Sequence, residues 1–507
     1  MNNLGNSIKD KSNNRFEITN MKIFKNIVSN VDIIKKAFDN CNDIVIRQLN
    51  IGDDHKFKAV LIYIEGMVNT EVIEFSVINK LTNNNCEIKN KKHFKYLLGI
   101  NENDITTKMD IAIKTILQGG AVLLIDRVNY ALLLNYKNPP KRDISEPPIE
   151  TNIRGPREGF TESLTTNVCL LRKRIKSIHL KVEYFIIGKQ TKTDIEIVYL
   201  DNIADKRVIE KVRARLEKID ANSIVDSSYI EEYIADGGIL NVFPTIFHTE
   251  KPDTVARKIL QGKVALLIDG SPTILTVPCT FIEHLQAEED YYNNYILATI
   301  DRVIRFFSFL LAMLLPAFWV SISTFHQELI PTSLVVTVVK ARSGLPFPTL
   351  VEAFFMLGAY EIIKEAGIRM PEPVGQAISV VGALVLGQSA VSAGLVSTPM
   401  VIVIAVTGIT GYVIPSVELT RSLIFPKYIF LFLGGSFGLI GLLSGQLFLL
   451  IYLLSLRSFG VPYLYPFGPL DSDILKDNIY REPINRSKRK YKISLFIESI
   501  RKKLKGK

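Results

Sequence analysis

The residues of this chain most able to do unusual chemistry are the charged ones set inside long apolar runs. Glu352 and Glu361 lie in such a run, and Glu328 closes the string Thr324-Phe325-His326-Gln327-Glu328. An ionisable side chain in an apolar, membrane-like setting is costly, so it marks either an ion path or a charge held by a structural partner. For His326 the plainer reading is a helix-end histidine at a membrane surface, with a proton relay as the alternative. Gln388, Ser389 and Ser392 add neutral oxygens of the kind that suit a weakly held cation. Glu352, Glu361, Gln388, Ser389 and Ser392 are therefore the candidates for an ion path or its gate.

These residues depend on apolar segments to position them. Residues 306–327, 373–417 and 428–456 contain no Asp, Glu, Lys or Arg, and roughly 20 apolar residues take a helix across a bilayer. Spans are expected at 306–327, 374–395, 400–417 and 428–456, with turn chemistry at Ser397-Thr398-Pro399. The segment 345–367 is apolar but holds Glu352, Glu361, Lys364 and Glu365. It is expected to lie at the interface, to re-enter, or to form two further short crossings, which makes four spans, or six. Arg302, Arg305 and Arg457 then fall at inner ends, in keeping with the positive-inside rule.

Small residues recur every four positions at Gly375, Ser379, Ala383 and Gly387, and again at Gly434 with Gly438 and Gly441 with Gly445. In lipid, close approach of backbones through small side chains is a main route to tight helix packing. The stripe serves packing within the chain on the plain reading, and packing of subunits around a polar path on the sharper one.

The formal net charge is +10. Ten Lys and Arg against the single Glu498 in 486–507 account for +9 of it. A basic tail just after a membrane segment reads as an anchor on anionic lipid, not as a nucleic-acid site. Cys41, Cys86, Cys169 and Cys279 lie far apart without C-x-x-C pairs, which suits reduced core thiols better than disulfides or zinc. The first twenty residues lack the apolar stretch of a signal peptide. With the soluble part and the basic tail both inside, the number of crossings is even. No P-loop, G-x-S-x-G or HExxH motif occurs, so no enzyme activity, cofactor or metal is expected.

The soluble part carries an internal repeat. Segment 59–65, followed by Val68 and Asn69, resembles 196–201 followed by Ile203, Ala204 and Asp205, with Tyr63 and Tyr199 136 residues apart. Leu117-Gln118-Gly119 leading to Asp126 matches Leu260-Gln261-Gly262 leading to Asp269, 143 residues on. Each unit reads as an apolar strand, a helix such as 206–218, and a β-hairpin such as 264–277 around Asp269-Gly270. The expected organisation is a soluble subdomain over 1–137, a proline-rich linker over 138–150, a second subdomain over 151–300, a helical transmembrane domain over 301–466 and a basic tail over 467–507. The fold class is thus α/β in two related subdomains, followed by transmembrane helices. The string Gly155-Pro156-Arg157-Glu158-Gly159-Phe160 suits an ordered turn with a charge-assisted contact, and Arg172-Lys173-Arg174 suits a solvated helix end or an acidic partner surface.

Several strings in order give the chain a resemblance to the A subunits of nutrient germinant receptors of endospore-forming bacteria, the GerA family. They are 155–164, with Gly155, Pro156, Arg157, Glu158, Gly159, Phe160 and Glu162; then 188–193; Tyr229-Ile230-Glu231-Glu232; Phe243-Pro244-Thr245; Glu250-Lys251-Pro252-Asp253; and Asp290-Tyr291-Tyr292. In the apolar part they are 324–328, Pro346-Phe347-Pro348, 365–369 and 457–463. The resemblance covers about 150–470 and implies a multi-pass protein of the spore inner membrane with both termini on the core side. It implies work alongside a transporter-like B subunit and a C-subunit lipoprotein, and assembly as a pentameric ring that passes monovalent cations on a nutrient signal. Where the family often carries an acidic residue this chain has Leu357, which leaves Glu352 or Glu361 to supply any cation attraction. Two other readings are an A-type paralogue that amplifies the signal by ion release, and a secondary transporter, for which ten or more spans are expected.

Overall fold

A computed structural model describes residues 21–51, 57–82, 98, 104–138, 155–238, 241–369, 385–470, 478, 481 and 483. Two five-stranded sheets fill the first three hundred residues. The first uses β1 (Ile44–Ile51), β2 (Phe57–Ile64), β3 (Ile105–Thr106), β4 (Ala121–Ile125) and β5 (Ala131–Leu134), in the order β1-β2-β4-β5-β3. The second uses β6 (Leu180–Ile187), β7 (Thr193–Leu200), β8 (Phe247–Thr249), β9 (Val264–Ile268) and β10 (Ile274–Val277), in the order β6-β7-β9-β10-β8. Strand for strand the two orders are the same, and all pairs are antiparallel. Strands β4 and β9 are buried at all five positions, as a central strand covered on both faces must be.

Helices α1 (Ile27–Ala37) and α2 (Met109–Leu117) cover the first sheet, and α3 (Leu164–Arg174) and α6 (Pro252–Leu260) cover the second. Between β7 and β8 the second subdomain carries α4 (Lys206–Leu216) and α5 (Ser227–Ile234), and a helical stretch over 70–82 follows β2 at the place of α4 in the first. The repeat extends to single hydrogen bonds. Asn30 clamps the Phe24 backbone, accepting from its N–H at 2.9 Å and donating to its carbonyl at 2.7 Å, and Asn167 does the same to Thr161 at 2.8 and 2.6 Å. The carboxylate of Asp126 accepts from Ile27 N, and that of Asp269 from Leu164 N, each at 3.4 Å. These bonds tie the start of each covering helix to the end of a central strand. The repeated unit is therefore larger than the sequence comparison suggested, since it begins with a leading helix and a long strand pair.

The helical part consists of α7 (Tyr295–Phe325), α8 (Thr332–Arg342), α9 (Thr349–Arg369), α10 (Thr398–Tyr412), α11 (Val417–Ser422) and α12 (Ile424–Ser455). Two stretches of helix are long and apolar enough to cross a membrane, Tyr295–Phe325 and Val417–Ser455. The second is not one straight rod. Gly438 has φ 65° and ψ −147°, a backbone geometry open essentially to glycine alone. A straight helix would put Gly445 about 18 Å along the axis from Leu433. Instead, a Cβ on Gly445 would sit 2.8 Å from Leu433 Cδ1 and 3.0 Å from Phe430 Cε1, and one on Gly441 would collide with the Leu433 carbonyl oxygen. The chain therefore doubles back at Gly438, and the single span expected over 428–456 is two antiparallel arms.

Segment 345–367 also differs from expectation. From Thr349 onward it belongs to one 21-residue helix, α9, about 31 Å long, and not to two short crossings. The expected span 374–395 falls mostly outside the described residues, as do Gly375, Ser379 and Ala383. Gly387 has open space where a Cβ would point, whereas Gly434 is pressed on the Ala317 carbonyl of α7, with its Cβ position 2.9 Å from that oxygen. Gly438 is the point of reversal, and the end of α7 lies close against it, with Phe325 Cβ 3.1 Å from its Cβ position.

Candidate functional site

The described structure concentrates its buried charge where the second subdomain meets the helices. The Asp290-Tyr291-Tyr292 string lies just before α7. Asp290, 1% exposed, accepts from Arg302 at 2.9 Å and from Arg305 at 2.7 Å. The guanidiniums of Arg257, Arg302 and Arg481 lie 4.6, 5.4 and 5.6 Å from the Tyr291 ring centroid, and the Tyr292 hydroxyl donates to Asp253 at 2.6 Å. Arg302 and Arg305 thus do not face lipid headgroups, since both turn inward and fix the first turns of α7 to the soluble domain.

A second tie runs through a 3₁₀ turn, Phe281–Leu285, whose start is closed by Thr280 and Glu283 in a capping box. Glu283 also takes Lys258 at 2.5 Å and the Lys263 ammonium. Burial opposes its charge, yet the two ammoniums win and hold the carboxyl well below the usual carboxylate range. His284 is pushed down to about 4 by burial, so it is neutral, and its ring nitrogens face Cys279 Sγ at 3.2 Å and Ser416 Oγ at 2.9 Å. His248, on β8, lies between Glu231 of α5 at 3.7 Å and Glu418 of α11 at 2.7 Å. Burial alone would lower its pKa, but hydrogen bonds and charge from the two glutamates outweigh it and raise it to about 10. Solvent-filled clefts of about 880 and 470 Å³ flank this bridge, and both are lined by Glu418 and Arg421.

The third tie is the 457–463 string. Leaving α12, the chain makes a small hairpin of Arg457–Ser458 with Val461–Pro462. Phe459, 2% exposed, enters the core of the second subdomain. Its N–H donates to Asp236 at 2.5 Å, its carbonyl accepts from Lys211 at 3.2 Å, and the Arg215 guanidinium covers its ring at 4.2 Å. Ser458 Oγ donates to the Thr245 carbonyl at 2.7 Å and accepts from Cys279 N at 2.9 Å. The start of α7, the start of α12 through α11, and the end of α12 are thus all held by one subdomain. Such a junction can transmit a displacement of the soluble domain to both arms of the hairpin together.

The other sequence candidates are dispersed. Glu352, 1% exposed, accepts at Oε1 from Ser397 N at 2.5 Å and Ser397 Oγ at 2.6 Å, which caps the start of α10. Its Oε2 has no partner. Glu361 faces Lys427 at 3.3 Å and Lys364 at 3.6 Å, so its charge is already answered. Leu357 is fully buried among Val320, Ala353 and Met400, and Gln388, Ser389 and Ser392 are exposed. His326 sits beside the Gly438 reversal, with its Cε1 2.8 Å from the Cβ position there. In the 155–160 string, Gly155 is exposed with φ 138°, Phe160 is core, and Glu158 pairs with Lys173 at 2.9 Å and Arg174 at 2.7 Å. Pro156, Arg157 and Glu162 are exposed and Gly159 is buried. The expectation of a solvated Arg172 is corrected: it is 1% exposed and bidentate on Asp43 of the first subdomain, at 2.7 and 2.8 Å. Sequence reasoning missed His248 and Glu418, although Glu418 ends the uncharged run 373–417 and Glu231 lies within a string already singled out.

Fold and junction together define a duplicated α/β module fixed to a helical domain with helices of membrane length. The chain belongs to the GerA family, for a model of the Bacillus/Clostridium GerA spore germination protein matches residues 32–493. It is 38% identical to spore germination protein KA of Bacillus subtilis strain 168, over 91% of this chain and 85% of that one. It is 39% identical to the membrane protein YfkQ of the same organism, over 91% and 90%. The N-terminal domain of the A subunit of the Bacillus megaterium spore germinant receptor GerK3 aligns with 52% of this chain and 98% of its own length, at 30% identity and a TM-score of 0.41.

Proposed function

We propose that this spore germination protein is the A-type subunit of a nutrient germinant receptor in the spore inner membrane, working with B-type and C-type subunits. Copies assemble as a ring that passes monovalent cations when a nutrient is sensed. The observation that carries the reading is α8. None of its eleven residues is buried in a single chain, and Leu334, Val336 and Val339 are 54%, 54% and 56% exposed. A helix that is apolar on its outside and touches its own chain mainly along α10 has a face left for neighbours, and a ring of copies supplies them. Exposed Gln388, Ser389 and Ser392 remain the candidates for an ion path, with modest polar groups in place of a tight charged cage.

The topology that fits is six crossings with both termini inside. Helix α7 leads outward; α9 returns, since Leu350 lies at Gly435 near the reversal and Glu361 at Lys427 near the base. The span expected over 374–395, which falls mostly outside the described residues, completes the count; α10 returns, and the two arms of α12 make the last pair. The test is ion flux from proteoliposomes holding the purified chain, with and without partner subunits, alongside disulfide trapping of Val336→Cys between copies. Potassium release under nutrient, with trapped oligomers, is the expected result; no conductance under any nutrient would sink the channel reading.

A further inference from the structure

The two subdomains meet through unlike faces of the same unit. The first presents the 40–43 turn before β1 and the Glu65-Gly66 turn after β2; the second presents α3 and the outer edge of β6. On that edge Val182 N donates to the Asn40 carbonyl and Val182 O accepts from Asn42 N, each at 3.0 Å. On α3, Arg172 takes Asp43, and Cys169 Sγ donates to the Glu65 carbonyl at 3.2 Å. A Cβ on Gly66 would sit 2.8 Å from Thr165 Cγ2. Cys169 and Arg172 are each 1% exposed beneath this contact.

A pairing of unlike faces uses one face of each unit and leaves the other open. The repeat locates the open ones. The asparagine clamps align Asn30 of α1 with Asn167 of α3, and the strand registers align Ile44, paired with Ile64, with Leu180, paired with Leu200. Val28, Asp32 and Lys35 of α1 thus stand where Thr165, Cys169 and Arg172 stand on α3. Ile46 stands where Val182 does, on an edge of β1 that no described strand or bridge covers. On the second subdomain, His179, Asp201 and Asn202 stand where Asp43, Glu65 and Gly66 stand on the first. Val28, Asp32, Lys35, His179, Asp201 and Asn202 are all exposed, Val28 to 61%. The docking turn keeps the same closing bond in both units: Glu65 N donates to the Asp43 carbonyl at 2.9 Å, and Asp201 N to the His179 carbonyl at 3.0 Å.

The open faces suit each other chemically. Val28 brings an apolar side chain to the place of Thr165, and an exposed valine gains from cover. Burial, and then the charge of Asp43, push the Cys169 thiol up to about 12, so Asp43 lies beside Cys169. At the equivalent places His179 faces Asp32, and the two attract when the imidazole is charged. The buried pair of Asp43 with Arg172 is not repeated, since His179 and Lys35 take its places. The contact between copies is therefore the weaker of the two.

We propose that the α1 face and β1 edge of one copy receive the His179, Asp201 and Asn202 face of the next, so that the contact inside each chain is repeated between chains. The contact is head to tail, with first and second subdomains alternating, and such a contact closes into a ring when its rotation allows. It rests on assembly as a ring and adds the surfaces that meet.

The test is disulfide trapping at Val28 and Asn202, the counterparts of Thr165 and Gly66, whose side-chain positions lie within disulfide reach. Both positions are exposed, so neither change disturbs the core. Full-length chains carrying Val28→Cys and full-length chains carrying Asn202→Cys are given different tags, co-assembled in detergent and oxidised. The expected result is a covalent dimer holding one chain of each kind, at least tenfold above either variant oxidised alone. A chain carrying both changes is expected to give a ladder that stops at the size of the ring. Dimers of Val28→Cys with itself would overturn the proposal, for they require a two-fold contact. So would the absence of mixed dimers while mass photometry shows the oligomer intact, which places the contact elsewhere and leaves the ring standing. A wild-type chain that is monomeric overturns the ring and this contact together.

Discussion

The two α/β subdomains share strand order, covering helices and the asparagine clamp at the start of each unit, yet they stand in different relations to the helical domain. The first meets the rest of the chain through Asp43 on Arg172 and through a short ladder in which Asn42 N donates to Val182 O and Val182 N to Asn40 O, each at 3.0 Å. The second is held to the helices through Asp290, His284, His248 and Phe459. One duplicated fold has therefore been put to two uses, a peripheral module and a base plate. The difference lies in the contacts that the second copy makes: Glu231 of α5 with His248, the 3₁₀ turn after β10, and a socket for Phe459. Fold is common to both, and coupling belongs to those contacts.

That contrast is broken most severely at the base plate. Asp290→Asn leaves two guanidiniums without their carboxylate at buried positions, a loss of about 3–5 kcal/mol. The expected outcome is a large drop in the unfolding temperature of the full chain in detergent, with α7 becoming open to proteolysis near 290–300. At the peripheral module, Asp43→Asn exposes the other side of the comparison. Arg172 is then buried and unpaired, at a cost of similar order but confined to the docking of the first subdomain. Limited proteolysis is expected to release an N-terminal fragment while the helical part stays intact; joint release of both regions would erase the distinction. The double change Asp43→Leu with Arg172→Met is expected to restore most of the stability, because replacing a buried ion pair with apolar groups is often neutral.

A smaller effect is expected at the far end of the hairpin. Gly438→Ala places a Cβ 2.8 Å from His326 Cε1 in a backbone region closed to alanine, at about 1–3 kcal/mol. The expected result is a modest fall in unfolding temperature together with altered ion flux in proteoliposomes, and unchanged values in both would remove the reversal from any mechanism.

How much of this was readable in advance follows from what a sequence pattern reports. Apolar runs mark contact with lipid or core, and so α7 and the central strands could be located, as could the β9–β10 hairpin from its Asp-Gly turn. The reversal at Gly438 was not, because an uncharged run looks the same whichever way its helix points. Four of its five glycines read equally as a packing stripe. Arg172 was misread from its neighbours Lys173 and Arg174, although it follows Leu164 by eight and Val168 by four and so shares their buried face. Asp43 and Arg172 lie 129 residues apart, and no local signal joins them. The same holds for His248 and Glu418, which meet only once the chain has run through α7 to α10 and come back to the second subdomain.

The most finely graded prediction concerns that pair. The ordinary histidine value is about 6.5, and the bridge raises His248 to about 10. A pKa raised by folding contributes its full stability below the unfolded value and loses it as pH rises through the folded one. The tie between β8 and α11 is therefore strongest below about pH 6.5 and fades between there and about pH 10. The side chain is 25% exposed, so solvent screening limits the change to about 1 kcal/mol between pH 7 and 9. Hydrogen exchange of the 413–423 backbone is the direct readout. Protection is expected to fall across that range in the wild type and to be low and flat in His248→Gln, while the Asp43 contact of the first subdomain stays constant. A wild-type profile that is flat, or that rises with pH, would show that His248 is neutral in the bridge. The base plate would then depend on Asp290, His284 and Phe459, and would differ from the peripheral module in the number of its contacts and not in their response to protons.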